Sequence, residues 1–257
     1  MKHAKRMRAV GLTAALLLAA SAGMAARAGD AVADNLRPAD ILKKSQAQYT
    51  ALTNYSDEGK AVSVLGETSV APCNYTIKMA RPHLYRIAWD QDSGFFDQKG
   101  TVWSAGAGDF LKLGTSVQKE PNMSLALSSA AGISGGAAAS IPGAFFNVVW
   151  GNPLGVPPLT EKRLPDAKVD SVDCFVLARD LQGTTTALWI GKADFLIHQV
   201  QRVTSAQAVK ARLAEAAKQD PKLAASLPAT AAQAITSTEI HTHIVVNQKL
   251  SPADFDH

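Results

Sequence analysis

The chain has no Cys-x-x-Cys pair, and neither of its glycine-rich stretches continues into Gly-Lys-Ser/Thr. The first absence removes a thiol redox motif. The second removes a phosphate-binding loop, so "SAGAGDF" and "GISGG" read as turns rather than nucleotide cradles. Only one long apolar run occurs, Val10 to Ala20, and it is shorter than a membrane-spanning helix requires. Paired carboxylates such as Asp57-Glu58 fall in an expected turn, and no serine is expected in a Gly-x-Ser-x-Gly elbow. No constellation of catalytic groups stands out, and neither an enzyme, a cofactor nor a metal is expected.

What is present begins with Lys2, Lys5, Arg6 and Arg8 ahead of the apolar run, followed by small residues and Ala26-Arg27-Ala28. That order is a secretory signal peptide over 1–28, with the mature chain from 29 to 257 as one domain. The signal accounts for the basic balance. The whole chain has 26 Lys and Arg against 22 Asp and Glu, but five of the cations and none of the acids precede residue 29. The remainder carries 21 cations and 22 acids, so no basic stripe for nucleic acid is expected. The N-terminal signal implies a periplasmic location, and the protein is expected to be a monomer. No cysteine lies at the cleavage region to carry a lipid. Cys73 and Cys174 both follow it, in a compartment that permits a disulfide, and they are either bridged or two separate buried thiols.

The pattern of elements is α+β. Pro38 suits the first turn of a helix running to Leu52. Period-two segments follow at Tyr55–Leu65, Val70–Ala80, His83–Trp89, Gly100–Ser104 and Phe110–Leu113. Two short helices are expected near Met123–Ala131 and Ala144–Trp150, joined by a Ser/Gly/Ala linker. Strands resume at Lys168–Arg179, Thr185–Ile190, Phe195–Thr204 and Thr236–Asn247, with a helical excursion at about 205–228 before the last. The sum is a meandering antiparallel sheet with a few helices.

Two sets of side chains are candidates for function. Glu239, His241 and His243 alternate along the last strand, a spacing that can bind zinc with His198 as a third ligand. With Ile240, Ile244 and Val246 taken as the core side, the histidines are expected on a solvated face without metal. The second set is apolar. Tyr75, Ile77, Met79, Tyr85, Ile87, Trp89 and Trp103 fall on expected inward faces, and Phe145, Phe146 and Trp150 decorate the helical segment. Each alone is ordinary core; together they describe a lined hollow under a small-residue lid.

The stretches "ARPHLYRIAWD", "DQKGTVWSAG", "LWIGKADFLIHQVQRV" and "SPADFDH" resemble the LolA-like periplasmic lipoprotein carriers and outer-membrane lipoprotein-sorting proteins. The resemblance runs in order from Pro38 to Phe255. It implies a strongly curved antiparallel sheet forming an incomplete β-barrel, with an N-terminal helix and lid helices on the concave face. It also implies a cavity for the acyl chains of lipoproteins or lipid, a possible inner- or outer-membrane protein partner, and a part in cargo release for Arg81, which stands in the Arg-Pro pair. A second role on the same fold is an envelope sensor that recognises lipoprotein or peptide and signals to a membrane partner.

Overall fold

The computed structural model describes residues 35–92, 97–148, 151–155, 161–219 and 232–256. The signal segment 1–28 and Trp150 lie outside them. Helix α1 (Pro38–Ala51) starts with proline at its first turn, where a missing N–H costs nothing, and buries Ile41, Leu42, Ser45 and Tyr49 along one side. Helix α2 (Met123–Ala131) is capped by Asn122, whose side chain accepts from Leu125 N at 3.0 Å. Helix α3 (Ser140–Phe146) begins four residues earlier than the spacing suggests and ends at Asn147 in the left-handed region. Helix α4 (Ala206–Gln219) is the expected excursion between two strands, and the remainder of that excursion lies outside the described residues.

Twelve strands form one antiparallel sheet: β1 (Asn54–Leu65), β2 (Thr68–Ser69), β3 (Cys73–Ala80), β4 (Leu84–Asp92), β5 (Asp97–Ser104), β6 (Asp109–Leu113), β7 (Ser116–Glu120), β8 (Lys162–Val169), β9 (Val172–Leu181), β10 (Thr184–Gly191), β11 (Ile197–Thr204) and β12 (Ile235–Val246). The order is β7-β6-β5-β4-β3-β1-β12-β11-β10-β9-β8, with β2 paired to β1 alone. Each half is a meander of hairpins, and the pairing of β1 with β12 joins them. The sheet is open, with β7 and β8 at its edges.

Three strands, β2, β7 and β8, escaped the sequence pattern. The stretch Lys168–Arg179 is not one strand: Asp170 takes a positive φ of 50° and turns β8 into β9. Asp tolerates that conformation because its short side chain bonds locally. Pro165 sits in β8, an edge strand, where the register shifts between Leu164 and Ala167, as a residue without an N–H requires. Strand β7 shows no buried alternation, being exposed along all but its last residue.

One hydrophobic cluster joins Ile41 and Tyr49 of α1, Leu127 of α2, and Ile141 and Phe145 of α3 to one face of the sheet. That covered face carries Tyr55, Ile77, Met79, Tyr85, Ile87 and Val102, each with no exposed surface. Small residues let the helices approach closely. A Cβ on Gly135 would come within 2.6 Å of Ala61 Cβ, and one on Gly136 within 2.3 Å of the Glu239 carboxylate. Both glycines also hold positive φ, so the "GISGG" stretch is a close-packed turn against the sheet.

Candidate functional site

The cis Arg81-Pro82 bond lies between β3 and β4. The Arg81 guanidinium reaches back to three carbonyls. Its Nε donates to Leu52 O at 3.0 Å, and its Nη2 donates to Tyr49 O at 3.1 Å and to Phe145 O at 2.6 Å. It also lies 4.6 Å from the centre of the Phe145 ring. The last turns of α1 and α3 each leave carbonyls without an intrahelical partner, and a forked cation meets both ends at once. Arg81 thus ties two helices to the margin of the sheet.

Beneath this tie, Ile77, Met79, Tyr85, Ile87 and Phe145 are completely buried, and Trp89 is nearly so. Phe146 packs on the same cluster, edge-on to Phe145 at 4.8 Å and to Tyr85 at 6.1 Å. Tyr85 donates its hydroxyl to Asp109 Oδ1 at 2.7 Å, and burial, then that carboxylate, raises its pKa well above the ordinary value. Trp103 is the exception in the expected set. It pairs with Arg86 and stacks on Phe110 at 5.3 Å on the opposite face, because the inward residue of β5 is Val102. The alternation of β5 is shifted by one residue from the sequence reading, and a one-residue shift exchanges faces.

The apolar set is therefore brought together and covered. A ligand can touch it only after α2, α3 or the turn between them moves aside. The open depressions lie elsewhere. One of about 670 Å³ is bordered by Glu58, Lys60, Thr76, Ala88 and Asp90, and shares Tyr75 and Trp89 with the apolar set. Another of about 440 Å³ lies between the β8–β9 turn and strands β11 and β12, bordered by Asp194, His198 and Ile244.

The last strand corrects a further expectation. His241 and Glu239 are buried, not solvated. A bulge on β12 accounts for it: the register steps from Ser56↔Val245 to Glu58↔Thr242, leaving one extra residue, and His243 takes φ 50°. The bulge reverses the alternation, so Ile240 stands on one face while Ile244 and Val246 stand with Glu239 and His241 on the other. His243 points to solvent near Glu58, at 3.4 Å. The two histidines thus share no face. His198 bonds instead to Asp194 Oδ2 at 3.0 Å. Among the described residues no three His, Cys, Asp or Glu side chains are grouped to hold a metal.

His241 belongs to a buried polar chain. Tyr55 OH donates to Asp57 Oδ2 at 2.8 Å, and His241 Nδ1 bonds the same oxygen at 2.7 Å. Tyr75 OH donates to Ile240 O at 2.9 Å and lies 3.1 Å from His241 Nδ1. Burial, with Asp57 beside them, pushes the pKa of both phenols far up, which keeps them as donors. Glu239 forms an ion pair with Arg202, and Arg202 Nη2 donates to Ser140 Oγ at 2.9 Å, at the start of α3. His241 Nε2 and Glu239 Oε2 make no hydrogen bond and stand 3.9 Å apart. No sequence pattern marks this chain, because its members come from β1, β3, β11, β12 and α3.

The expectation that no serine has the Gly-x-Ser-x-Gly spacing fails at Gly132–Gly136, which carries the letters of a nucleophile elbow. It follows a helix rather than a strand, and Ser134 is fully buried. Its hydroxyl donates to Ala131 O at 3.3 Å and accepts from Ala138 N at 3.1 Å, so it serves the turn.

The cysteines are both free and buried. Cys73 lies in β3 and Cys174 in β9, with β1, β12, β11 and β10 between them in the sheet, so the bridge is not formed. Burial pushes the Cys73 thiol up to about 11 and the Cys174 thiol up to about 12.

No family model matches the chain, and no curated protein matches it. Solved structures do. The chain is similar to LolA superfamily structures. A LolA superfamily protein from Nitrosomonas europaea aligns at 9% identity and TM-score 0.38, over 84% of this chain and 96% of that one. A domain named for outer membrane lipoprotein sorting, from Vibrio parahaemolyticus, aligns at 11% identity and TM-score 0.34, over 85% and 95%. A DUF1329 family protein from Desulfovibrio piger aligns at 12% identity and TM-score 0.38, over 84% and 96%. At these identities and TM-scores the likeness establishes neither family nor function. No helix among the described residues is long and apolar enough to cross a membrane.

Proposed function

We propose that the chain is a non-catalytic periplasmic carrier that shelters acyl chains of lipoproteins or lipid against the covered face of an open, half-barrel sheet. The observation that carries this reading is the Arg81 tie. A plain core needs no removable latch, yet here one exposed-margin cation holds the ends of α1 and α3 through three carbonyls. Beneath it lies a continuous apolar surface of Ile77, Met79, Tyr85, Ile87, Trp89 and Phe145. Acyl methylenes placed there gain about 0.8 kcal/mol each on leaving water. Opening must separate the helices from the sheet, and a few charge-assisted bonds of about 1.5–3 kcal/mol each bias that step without locking it. Cargo entry and lid closure then compete for the same surface, which couples loading to opening.

The test is direct. Protein purified without detergent is examined by native mass spectrometry, and a fluorescent fatty acid is titrated and then displaced with a diacylated lipopeptide. Bound lipid and competitive displacement are expected. A protein that is folded, carries no lipid and fails to bind either probe is not a carrier.

A further inference from the structure

The face of the sheet turned away from α1, α2 and α3 has its own pattern, set by register, and the short 3-10 helix Pro252–Phe255 lies against its β3–β4 end. Lys78 pairs with Arg86, Arg86 with Trp103, Trp103 with Phe110, and Phe110 with Lys119. These alternate with Met79, Ile87, Val102 and Leu111 of the core, so all five lie in one row on the opposite side. The two rings stack at 5.3 Å with planes 23° apart. In the neighbouring row Ala88, Thr101, Lys112 and Val117 are paired in turn. Val117 is 55% exposed on the edge strand β7.

The charge is one-sided. The two rows hold Lys78, Arg86, Lys112 and Lys119 and no acid. The acids near them are Asp254, 3.6 Å from Lys78, Asp90, which pairs with Lys99 in the next row, and Glu58, which continues the second row on β1 through Thr76. Beyond residue 28 the chain as a whole has one more acid than cations, so this excess is local.

We infer that this patch docks on the surface of a bilayer containing anionic phospholipid. Stacked aromatics settle at headgroup depth, the surrounding cations meet phosphates, and the exposed Val117 at the sheet edge can enter the acyl boundary. An acidic protein surface would satisfy the cations but gives the exposed aliphatic edge no place. The inference does not depend on what occupies the covered face.

The test uses protein whose intact mass places its N-terminus at or beyond residue 29, floated with phosphatidylcholine vesicles with and without phosphatidylglycerol. Partition only into the anionic vesicles, weakened by salt, is expected. Lys112→Gln/Lys119→Gln should weaken it on the order of 25-fold, about fivefold per cation. Brominated lipids should quench the parent more than Trp103→Phe. Equal binding to neutral vesicles, partition unchanged in the folded double variant, or no partition at all each overturns the inference, and the last makes an acidic protein the occupant to seek.

Discussion

Tyr75 lies across Gly59. The two residues pair between β3 and β1, and a Cβ on Gly59 would come within 2.5 Å of the Tyr75 ring and 2.4 Å of Ile240 O. The missing side chain lets the phenol pass over β1 and bond the backbone of β12 at 2.9 Å. Trp89 lies over Gly100 in the same manner, with a would-be contact of 2.1 Å. Each glycine accommodates an aromatic ring on the covered face.

Gly59→Ala should therefore destabilise the fold by about 1–3 kcal/mol, since one of the two atoms it meets is backbone and cannot swing away. Gly100→Ala meets only the indole and should cost less, with Trp89 displaced. Urea denaturation measures both, and Trp fluorescence reports the second. A neutral Gly59→Ala would show that the strands separate more easily than this packing allows.

Asp57 holds two buried donors, Tyr55 OH and His241 Nδ1. Asp57→Ala strands both and should cost about 3–5 kcal/mol, as loss of one partner of a buried pair does. Asp57→Asn retains one acceptor oxygen and should cost less. Equal losses in the two variants would mean that charge, not the count of acceptors, governs this site.

The thiols give a pH dependence. Their folded values, about 11 for Cys73 and about 12 for Cys174, exceed the ordinary 9.0 because burial disfavours the thiolate. A raised folded pKa favours the unfolded thiolate once pH passes the unfolded value. The stability these groups contribute is complete below about 9 and is lost as pH rises toward 11 and 12, on the order of a few kcal/mol. Cys73→Ala/Cys174→Ala should show a shallower fall over that window in urea titrations, the buried tyrosines supplying the remainder. At pH 8 the native protein should resist iodoacetamide, and the denatured, unreduced protein should take up two labels.

The local signals in this sequence carried well wherever a residue's neighbours in the chain decided its place. Pro38 announces α1, and alternation through Cys73–Ala80 and Leu84–Trp89 announces the covered face. The errors arose where one residue changed the count. The bulge at His243 moved Glu239 and His241 inside, Asp170 divided one strand into two, and Trp103 was assigned by its character although Val102 holds the inward position. The polar chain from Asp57 to Ser140 was invisible because it exists only after β1, β12 and β11 lie side by side. Arg81 was marked by the resemblance of its Arg-Pro pair rather than by periodicity, and the ends of α1 and α3 supply the carbonyls it bonds.

Arg81→Leu is the variant that separates a latch from a surface arginine. Leucine keeps bulk against Phe145 but donates nothing to Tyr49 O, Leu52 O or Phe145 O. Tyr49, Leu52 and Phe145 are buried, so their carbonyls lose a donor that water does not freely replace, and global stability should fall by about 1–3 kcal/mol. The local effect should be larger. The ends of α1 and α3 should exchange amide hydrogens faster in the variant, while β3 and β4 keep their protection. If the covered face shelters acyl chains, a closed empty state weakened in this way competes less well against the loaded one. Cargo should then be held longer, and transfer of a lipopeptide from loaded protein to acceptor liposomes should slow by about tenfold, the consequence of about 1.4 kcal/mol removed from the closed state alone. Stopped-flow transfer from parent and variant measures this. Equal transfer rates with faster exchange at α1 and α3 would leave Arg81 a structural tie without a part in release. Equal exchange as well would mean that the three carbonyl bonds contribute nothing to holding the helices down.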